Sequence, residues 1–296
     1  MLDSEFIRNS IDKVIAQSKN KIKCKIWSGL DVGRIEKWFG NFISDEERLL
    51  AACLLDSLIY RSESQFKSQL FSIFTSPELK VDPDKKSDFD IISLLRSEKE
   101  ESIHVIPVIR RNDPPTKSGP LVLRYAQRSL RFHNKRLKWP SQIEDIVDTS
   151  KVVILLDDFI GTGNQFVSFA KRMALHKIIE IPNAPVIYYC VTAAHEKGLE
   201  KIAEELPGIR VISSEVLGND NSPFTLEGWK NYEPHFSLDD ALSTYNSICK
   251  RFPFLDKRPF GWGNLGLAYS FQHATPNNTL PIYWKYGDGW NSLLDR

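Results

Sequence analysis

Two adjacent carboxylates followed by a glycine loop are the residues of this chain best suited to chemistry. They lie in Lys151–Gln165, which reads KVVILLDDFIGTGNQ. Val152 to Leu156 form an apolar run rich in β-branched residues, and an apolar run without alternation is how a strand buried on both faces of a parallel sheet reads. At its end stand Asp157 and Asp158, then a short turn with Gly161, Thr162 and Gly163, then a stretch from Gln165 to Met173 with helical spacing. Strand, glycine loop and helix in succession make an anion site, because the loop amides and the helix N-terminus point at one spot. Carboxylates beside that spot suit a ligand carrying a phosphate together with hydroxyls or Mg²⁺. In an open α/β sheet, this is where ligands bind, beyond the carboxyl ends of the strands.

The elements that must position this stretch lie on both sides of it. His104 to Ile109 (HVIPVI) reads as a buried strand with Arg110, Arg111, Asn112 and Asp113 at its tip. Leu121 to Phe132 reads as a helix. With the following loop it presents Arg124, Arg128, Arg131, Lys135, Arg136 and Lys138. That basic run is a solvated face, part of a loop closing over a ligand, or a contact for RNA or DNA. Beyond the signature, Val186 to Thr192 is a further apolar strand, followed by a helix over Ala193–Leu206 and a strand over Ile209–Ser213. Repeated strand–helix units with short links imply a parallel sheet with helices on both faces. His195 and Glu196 fall at a helix start, where capping competes with a role at the site.

The flanking regions differ in character. Residues 1 to about 76 read as helical, with Phe6, Ile7, Ile11, Val14 and Ile15 at helical spacing and Ile35, Trp38, Phe39 and Phe42 in a second segment. Ser44 with Glu47 three residues on is a capping-box signature for a third helix,. A fourth spans Glu63–Phe74. A polar stretch follows, with VDPDKKSD over 81–88 as a loop and Phe89–Leu95 as a short helix. The expected organisation is a helical region with linker over 1–100 and an α/β domain over 101–296, whose last part, 217–296, is rich in aromatics, Gly, Asn and Pro. Such composition needs many specific turns. It makes either a subdomain packed on its own aromatics or a ligand-gripping hood.

Composition sets the outer bounds. A formal net charge of +1 over 296 residues gives no whole-protein reason to expect nucleic acid or membrane,. Cys24, Cys53, Cys190 and Cys249 are widely separated and form no C-x-x-C pair, so no disulfide framework or zinc site is indicated,. The early acids of MLDSEFIRNSIDK do not read as a signal peptide,. No apolar run approaches the roughly 18 residues of a membrane span. The expectation is a cytoplasmic protein.

Two other readings of the acidic strand stay in view. One is the strand of a P-loop ATPase, which needs a G-x-x-x-x-G-K-[ST] loop upstream, and this chain has none. The other is an ordinary strand–turn–helix with chance acids at its tip. The order Val153-Ile154-Leu155-Leu156-Asp157-Asp158-Phe159-Ile160-Gly161-Thr162-Gly163 resembles the phosphoribosyl-pyrophosphate (PRPP) signature of type I phosphoribosyltransferases. Gln165 departs from it, since the family more often has a hydroxyl residue there. The resemblance implies a parallel α/β sheet flanked by helices, with an N-terminal helical region and a loop-rich C-terminal hood. It implies that Asp157 and Asp158 bind ribose hydroxyls and lie near Mg²⁺. It also implies that Phe159, Ile160, Gly161, Thr162, Gly163, Asn164 and Gln165 wrap the 5′-phosphate, and that Arg110 and Arg111 face the pyrophosphate. In the hood, Trp262, Asn264, His273, Asn277 and Asn278, with Thr275 and Trp284, are candidates for gripping an acceptor base.

The layout as a whole resembles phosphoribosyltransferase-like proteins of bacterial conflict systems. The shared features are the helical region with Trp38, the acidic signature, Gly261-Trp262-Gly263-Asn264 and the run TPNNTLPIYW over Thr275–Trp284. That resemblance implies an antiviral effector beside protein partners. It leaves open a Mg²⁺-dependent transferase acting on a base, nucleotide or macromolecule, and a catalytically silent nucleotide-binding subunit of a defence complex.

Overall fold

The computed structural model describes residues 4–81, 90–114 and 116–296. The loop expected over 81–88, apart from Val81, lies outside the described residues, as do Phe89 and the side chain of Phe6. The chain forms two compact units, one of 1–65 with 218–296 and one of 66–217.

The first unit opens with α1 (Ser4–Lys23), α2 (Val32–Phe39), α3 (Asp45–Ser57) and β1 (Ile59–Arg61), and the division then falls inside α4 (Glu63–Phe74). The second unit continues with α5 (Ile91–Arg96), β2 (Ile103–Pro107), α6 (Ser118–Leu130), α7 (Ile143–Ile146) and β3 (Val152–Ile160). After these come α8 (Asn164–Arg172), α9 (Leu175–Ile179), β4 (Val186–His195), α10 (Glu196–Glu205), β5 (Ile209–Ser213) and β6 (Val216–Leu217). The chain returns to the first unit with α11 (Leu226–Trp229), α12 (Leu238–Arg251), α13 (Pro253–Asp256), β7 (Tyr269–Phe271) and α14 (Pro281–Trp284).

In the first unit Ser44 caps α3 as expected, while Glu47 reaches one residue further back than a capping box requires,. The Ser44 hydroxyl accepts from the Glu47 amide at 3.2 Å, while the Glu47 carboxylate reaches back to the Ile43 amide at 2.9 Å. The same carboxylate takes both arms of Arg251 from α12, at 2.6 and 2.8 Å. The aromatic stripe of α2 is core. Trp38 is fully buried, stacks on Tyr283 at 5.9 Å and donates its indole N–H to the Ile282 carbonyl at 2.9 Å. The compact units are therefore divided differently from the expected domains, because the aromatic C-terminal segment shares one core with the N-terminal helices. β1 and β7 pair in parallel, Ile59 opposite Tyr269, and neither has a counterpart among the expected elements.

In the second unit the expected parallel sheet forms in the order β2-β3-β4-β5, with β6 alongside the end of β4. Helices flank it. α5 and α6 lie against β2, and α6 also against β3. Val153, Leu155, Ile187 and Tyr189 pack in a core with residues of α7 to α10. Two boundaries differ from expectation. β3 runs on through Asp157 and Asp158 to Ile160, since pairing with β4 continues to Ile160 opposite Ala194. β4 runs to His195, three residues into the expected helix, because β6 pairs with Ala194 and His195.

Candidate functional site

Asp157 and Asp158 are thus part of the sheet. Asp157 is 1% exposed and Asp158 9%, so Asp158 is the more accessible of the two. Asp157 Oδ1 accepts from the Ser118 hydroxyl at 3.1 Å and from the Asp158 amide at 3.0 Å. The Thr192 hydroxyl donates to the Asp158 carbonyl at 2.7 Å, tying the acidic end of β3 to β4. Burial pushes the Asp157 carboxyl well above the ordinary carboxylate range, and the charge of Asp158 raises it further,.

The loop after the acids is held from behind. Gly163 adopts φ +76°, the left-handed region that favours glycine, and a Cβ there would sit 2.9 Å from the Gly198 carbonyl oxygen,. The approach is reciprocal. A Cβ on Gly198 would collide with the Gly161 carbonyl oxygen and lie 2.5 Å from Ile160 Cγ2. The start of α10 is therefore pressed against the loop by two glycines facing each other. α8 begins at Asn164 with no side chain among the described residues capping its N-terminus. It is fixed to the sheet by Phe166, whose ring stacks on Tyr189 with centroids 3.6 Å apart. Phe159, Gly161 and Thr162 are half-buried, Ile160 is buried, and Asn164 and Gln165 are exposed. The result is a strand end, a loop of closely packed backbone and a helix N-terminus, an arrangement able to hold a phosphate by amide donors.

Arg110 closes onto its own loop. Its guanidinium donates to both oxygens of Asp113, at 3.0 and 2.7 Å for the shortest contact of each, and its amide donates to the same carboxylate at 3.0 Å. Arg111 is exposed. The sequence reading missed three residues here. Lys117 reaches Gln165 Oε1 at 3.2 Å and brings a cation to the first turn of α8. Ser118 positions Asp157, and Gly198 shapes the loop. Only a Ser-Gly pair at the head of α6 and a glycine two residues after the start of α10 signalled them.

Other expected site residues separate. His195 caps α10, its Nδ1 accepting from the Lys197 amide at 3.2 Å, and burial pushes its imidazolium below the ordinary range. Of the basic run, Arg124, Arg128 and Arg131 are exposed and Lys135 pairs with Glu98 at 3.1 Å. Arg136 does not belong to that surface. It is 2% exposed, with Nε and Nη1 lacking hydrogen-bond partners among the described residues. Of the tail candidates, Trp262, Asn277 and Trp284 line one cavity, which Asn264 and His273 do not. Thr275 and Asn278 are buried, donating to the Asp295 and Trp262 carbonyls, and so serve as framework.

Two adjacent carboxylates, one of them held above its ordinary range by burial and by its neighbour's charge, fit a divalent cation that relieves their repulsion. Among the described residues no group of three or more His, Cys, Asp and Glu is set to hold a metal. Mg²⁺ held here would draw most of its ligands from substrate oxygens and water. No helix among the described residues is long and apolar enough to cross a membrane.

Comparison with known proteins gives the following. No curated protein matches. Among solved structures, the AQ2163 protein from Aquifex aeolicus is 14% identical, with a TM-score of 0.31, covering 63% of this chain and 83% of its own. Orotate phosphoribosyltransferase from Aeropyrum pernix is 19% identical, with a TM-score of 0.24, covering 42% of this chain and 68% of its own. Similarity that low carries no weight beside the sheet and loop already described. A family model described as PRTase-CE matches residues 35–296, which takes in the α/β sheet, the acidic strand with its loop, and the aromatic tail. On that match the chain belongs to the PRTase-CE family.

Proposed function

We propose that the end of β3, the 161–163 loop and the start of α8 bind the ribose-5-phosphate part of PRPP, and that the protein carries out Mg²⁺-dependent phosphoribosyl transfer. The observation that carries this reading is the pair of acids on β3 leading directly into a glycine loop locked against α10 by Gly163 and Gly198. Asp158, the more exposed acid, meets the ribose hydroxyls, while Asp157 backs it through Ser118. Amides of Gly161 to Gln165 and the Thr162 hydroxyl take the 5′-phosphate. Gln165 is in addition tethered by Lys117.

In the transfer, the bond from ribose C1 to the pyrophosphate oxygen breaks and its electron pair leaves with the pyrophosphate. The acceptor's nucleophilic atom forms the new bond to C1. The chain's part is positioning and electrostatics. Arg111 and Lys117 face the departing charge, and Arg110 joins them by releasing Asp113. Asp157 and Asp158 are the residues that would help hold Mg²⁺, which would supply further charge neutralisation at the departing pyrophosphate. Resemblance to conflict-system proteins, in Trp38 and the GWGN and TPNNTLPIYW stretches, supports a role as an effector in bacterial antiviral defence with protein partners.

The Arg110–Asp113 ion pair favours a second reading. With that guanidinium already neutralised, the site would hold a nucleotide without releasing pyrophosphate, as a regulatory subunit. Calorimetric titration with PRPP and Mg²⁺, in the parent and in Asp158→Asn, tests the site. Equal weak binding in both would sink the PRPP assignment. Pyrophosphate release across bases and nucleotides then separates the readings: release abolished by Asp158→Asn supports transfer, and tight binding without release supports the silent subunit.

A further inference from the structure

The first unit carries a cluster that phosphoribosyl chemistry at β3 leaves unused. A cavity of about 400 Å³ is lined by Lys257, Arg258, Trp262, Trp284, Lys285 and Arg296, together with Gly261, Asn277 and Pro281. Four cations share this hollow, and among the described residues no carboxylate side chain lines it. The rings hold three of them in place. Arg258 lies over Trp262 at 4.0 Å, Arg296 over Trp284 at 4.7 Å, and the Lys285 ammonium 5.9 Å from the same ring. A guanidinium stacked on indole is positioned without a counter-ion, its edge N–H groups left for planar or phosphate acceptors. Lys285 gives one N–H to the Phe254 carbonyl at 2.7 Å, and an ammonium has three. Its ammonium is pushed below the ordinary lysine range by burial first, then by Lys257, Arg296 and Arg258.

Cations gathered this closely repel one another, and an anion carrying several charges relieves them where a single carboxylate does not. Aromatic surface narrows the class further. Trp262 is 40% exposed, at the wall of a highly charged hollow. Inorganic phosphate gains nothing from an indole, whereas a nucleobase stacks on it favourably. Asn277 at the same wall offers an amide that can both donate to and accept from a base edge,. The volume lies in the range of small-molecule sites, which matches a mononucleotide better than a polymer.

We propose that this hollow is a second ligand site, for a mononucleotide with two or more phosphates, the phosphates held by Lys257, Arg258, Lys285 and Arg296 and the base against Trp262. All its lining residues belong to the first unit, while the β3–α8 loop belongs to the second. The proposal therefore stands apart from the phosphoribosyl assignment.

The test uses the full chain, with calorimetry and tryptophan fluorescence, and the probes ADP, ATP, adenosine, pyrophosphate and a 5′-phosphorylated oligonucleotide. The variants are Lys257→Gln with Arg258→Gln, both exposed positions, then Trp262→Ala, and Asp158→Asn as the control at the other site. ADP and ATP are expected to bind the parent and Asp158→Asn alike, at least about tenfold more weakly in the pocket variants, with adenosine weaker still. Circular dichroism melts show whether each pocket variant is folded. The proposal is overturned if folded pocket variants keep the parent's ADP affinity, or if ADP binding is lost in Asp158→Asn. It is equally overturned if pyrophosphate binds as tightly as ADP, if the oligonucleotide binds more tightly than ADP, or if no probe binds the parent.

Discussion

Asp157→Asn should make the protein more stable at neutral and alkaline pH while weakening its ligand site. The buried Asp157 carboxyl titrates well above the ordinary range, through burial and then the charge of Asp158. The unfolded chain titrates near the ordinary value of about 3.9. Between these two values the folded state binds more protons, so stability falls as pH rises through the window and the full cost is present above the folded value. Below about pH 4 both states are protonated and the cost vanishes. Asparagine keeps a carbonyl oxygen for the Ser118 hydroxyl and the Asp158 amide, so only the charge is removed. An effective burial penalty of several kcal/mol, offset by those two hydrogen bonds, leaves a net gain of about 2 kcal/mol. In a unit of this size that corresponds to a rise in Tm of about 4–8 °C. Thermal melts of parent and variant at pH 4, 6 and 8 read it directly. The difference should be near zero at pH 4 and grow to its plateau on the alkaline side. A variant less stable than the parent at pH 8, or a difference independent of pH, would refute the account of Asp157. Affinity for PRPP with Mg²⁺ should fall about tenfold or more in the same variant.

Other outcomes follow from neighbouring contacts. Gly198→Ala drives a methyl into the Gly161 carbonyl, so it should displace the loop and lower PRPP affinity by about tenfold or more, with a stability loss of about 1–3 kcal/mol; calorimetry and denaturant melts check both. Asp113→Asn removes the carboxylate that engages Arg110 and should raise affinity for pyrophosphate several-fold, which titration measures; unchanged affinity would remove Arg110 from the leaving-group side. His104 is pushed down to about 4 by burial and then by Arg136 and Lys138. Since the unfolded imidazole titrates at about 6.5, stability is intact above that pH and falls as pH drops towards 4. His104→Gln should flatten that acid-side loss in melts from pH 7 to 4.

How much of this was legible beforehand depended on how local the cause was. The β3 signature could be read because a strand buried on both faces must be apolar throughout, and because glycine is needed where backbone must approach backbone. The third helix could be read because Ser44 and Glu47 cap it within one turn. Arg110 was placed correctly after β2, but its engagement with Asp113 depends on a loop conformation that no periodicity encodes. Arg136 looked like one more cation in a basic run, and only the path of the chain after α6 buried it.

By itself, then, the sequence determined the parallel sheet, its acidic strand and the glycine loop, since each follows from burial and backbone sterics over about a dozen neighbouring residues. Tertiary structure alone decided what stands around that loop and what the tail joins. Gly198 meets Gly163 from another helix, and Ser118 and Lys117 arrive from the head of α6. Trp38 stacks on Tyr283 across the length of the chain. Four cations spread over Lys257 to Arg296 line one cavity, three of them against two indoles. These pairings depend on which surfaces close together to bury apolar area, and burial is indifferent to distance along the chain.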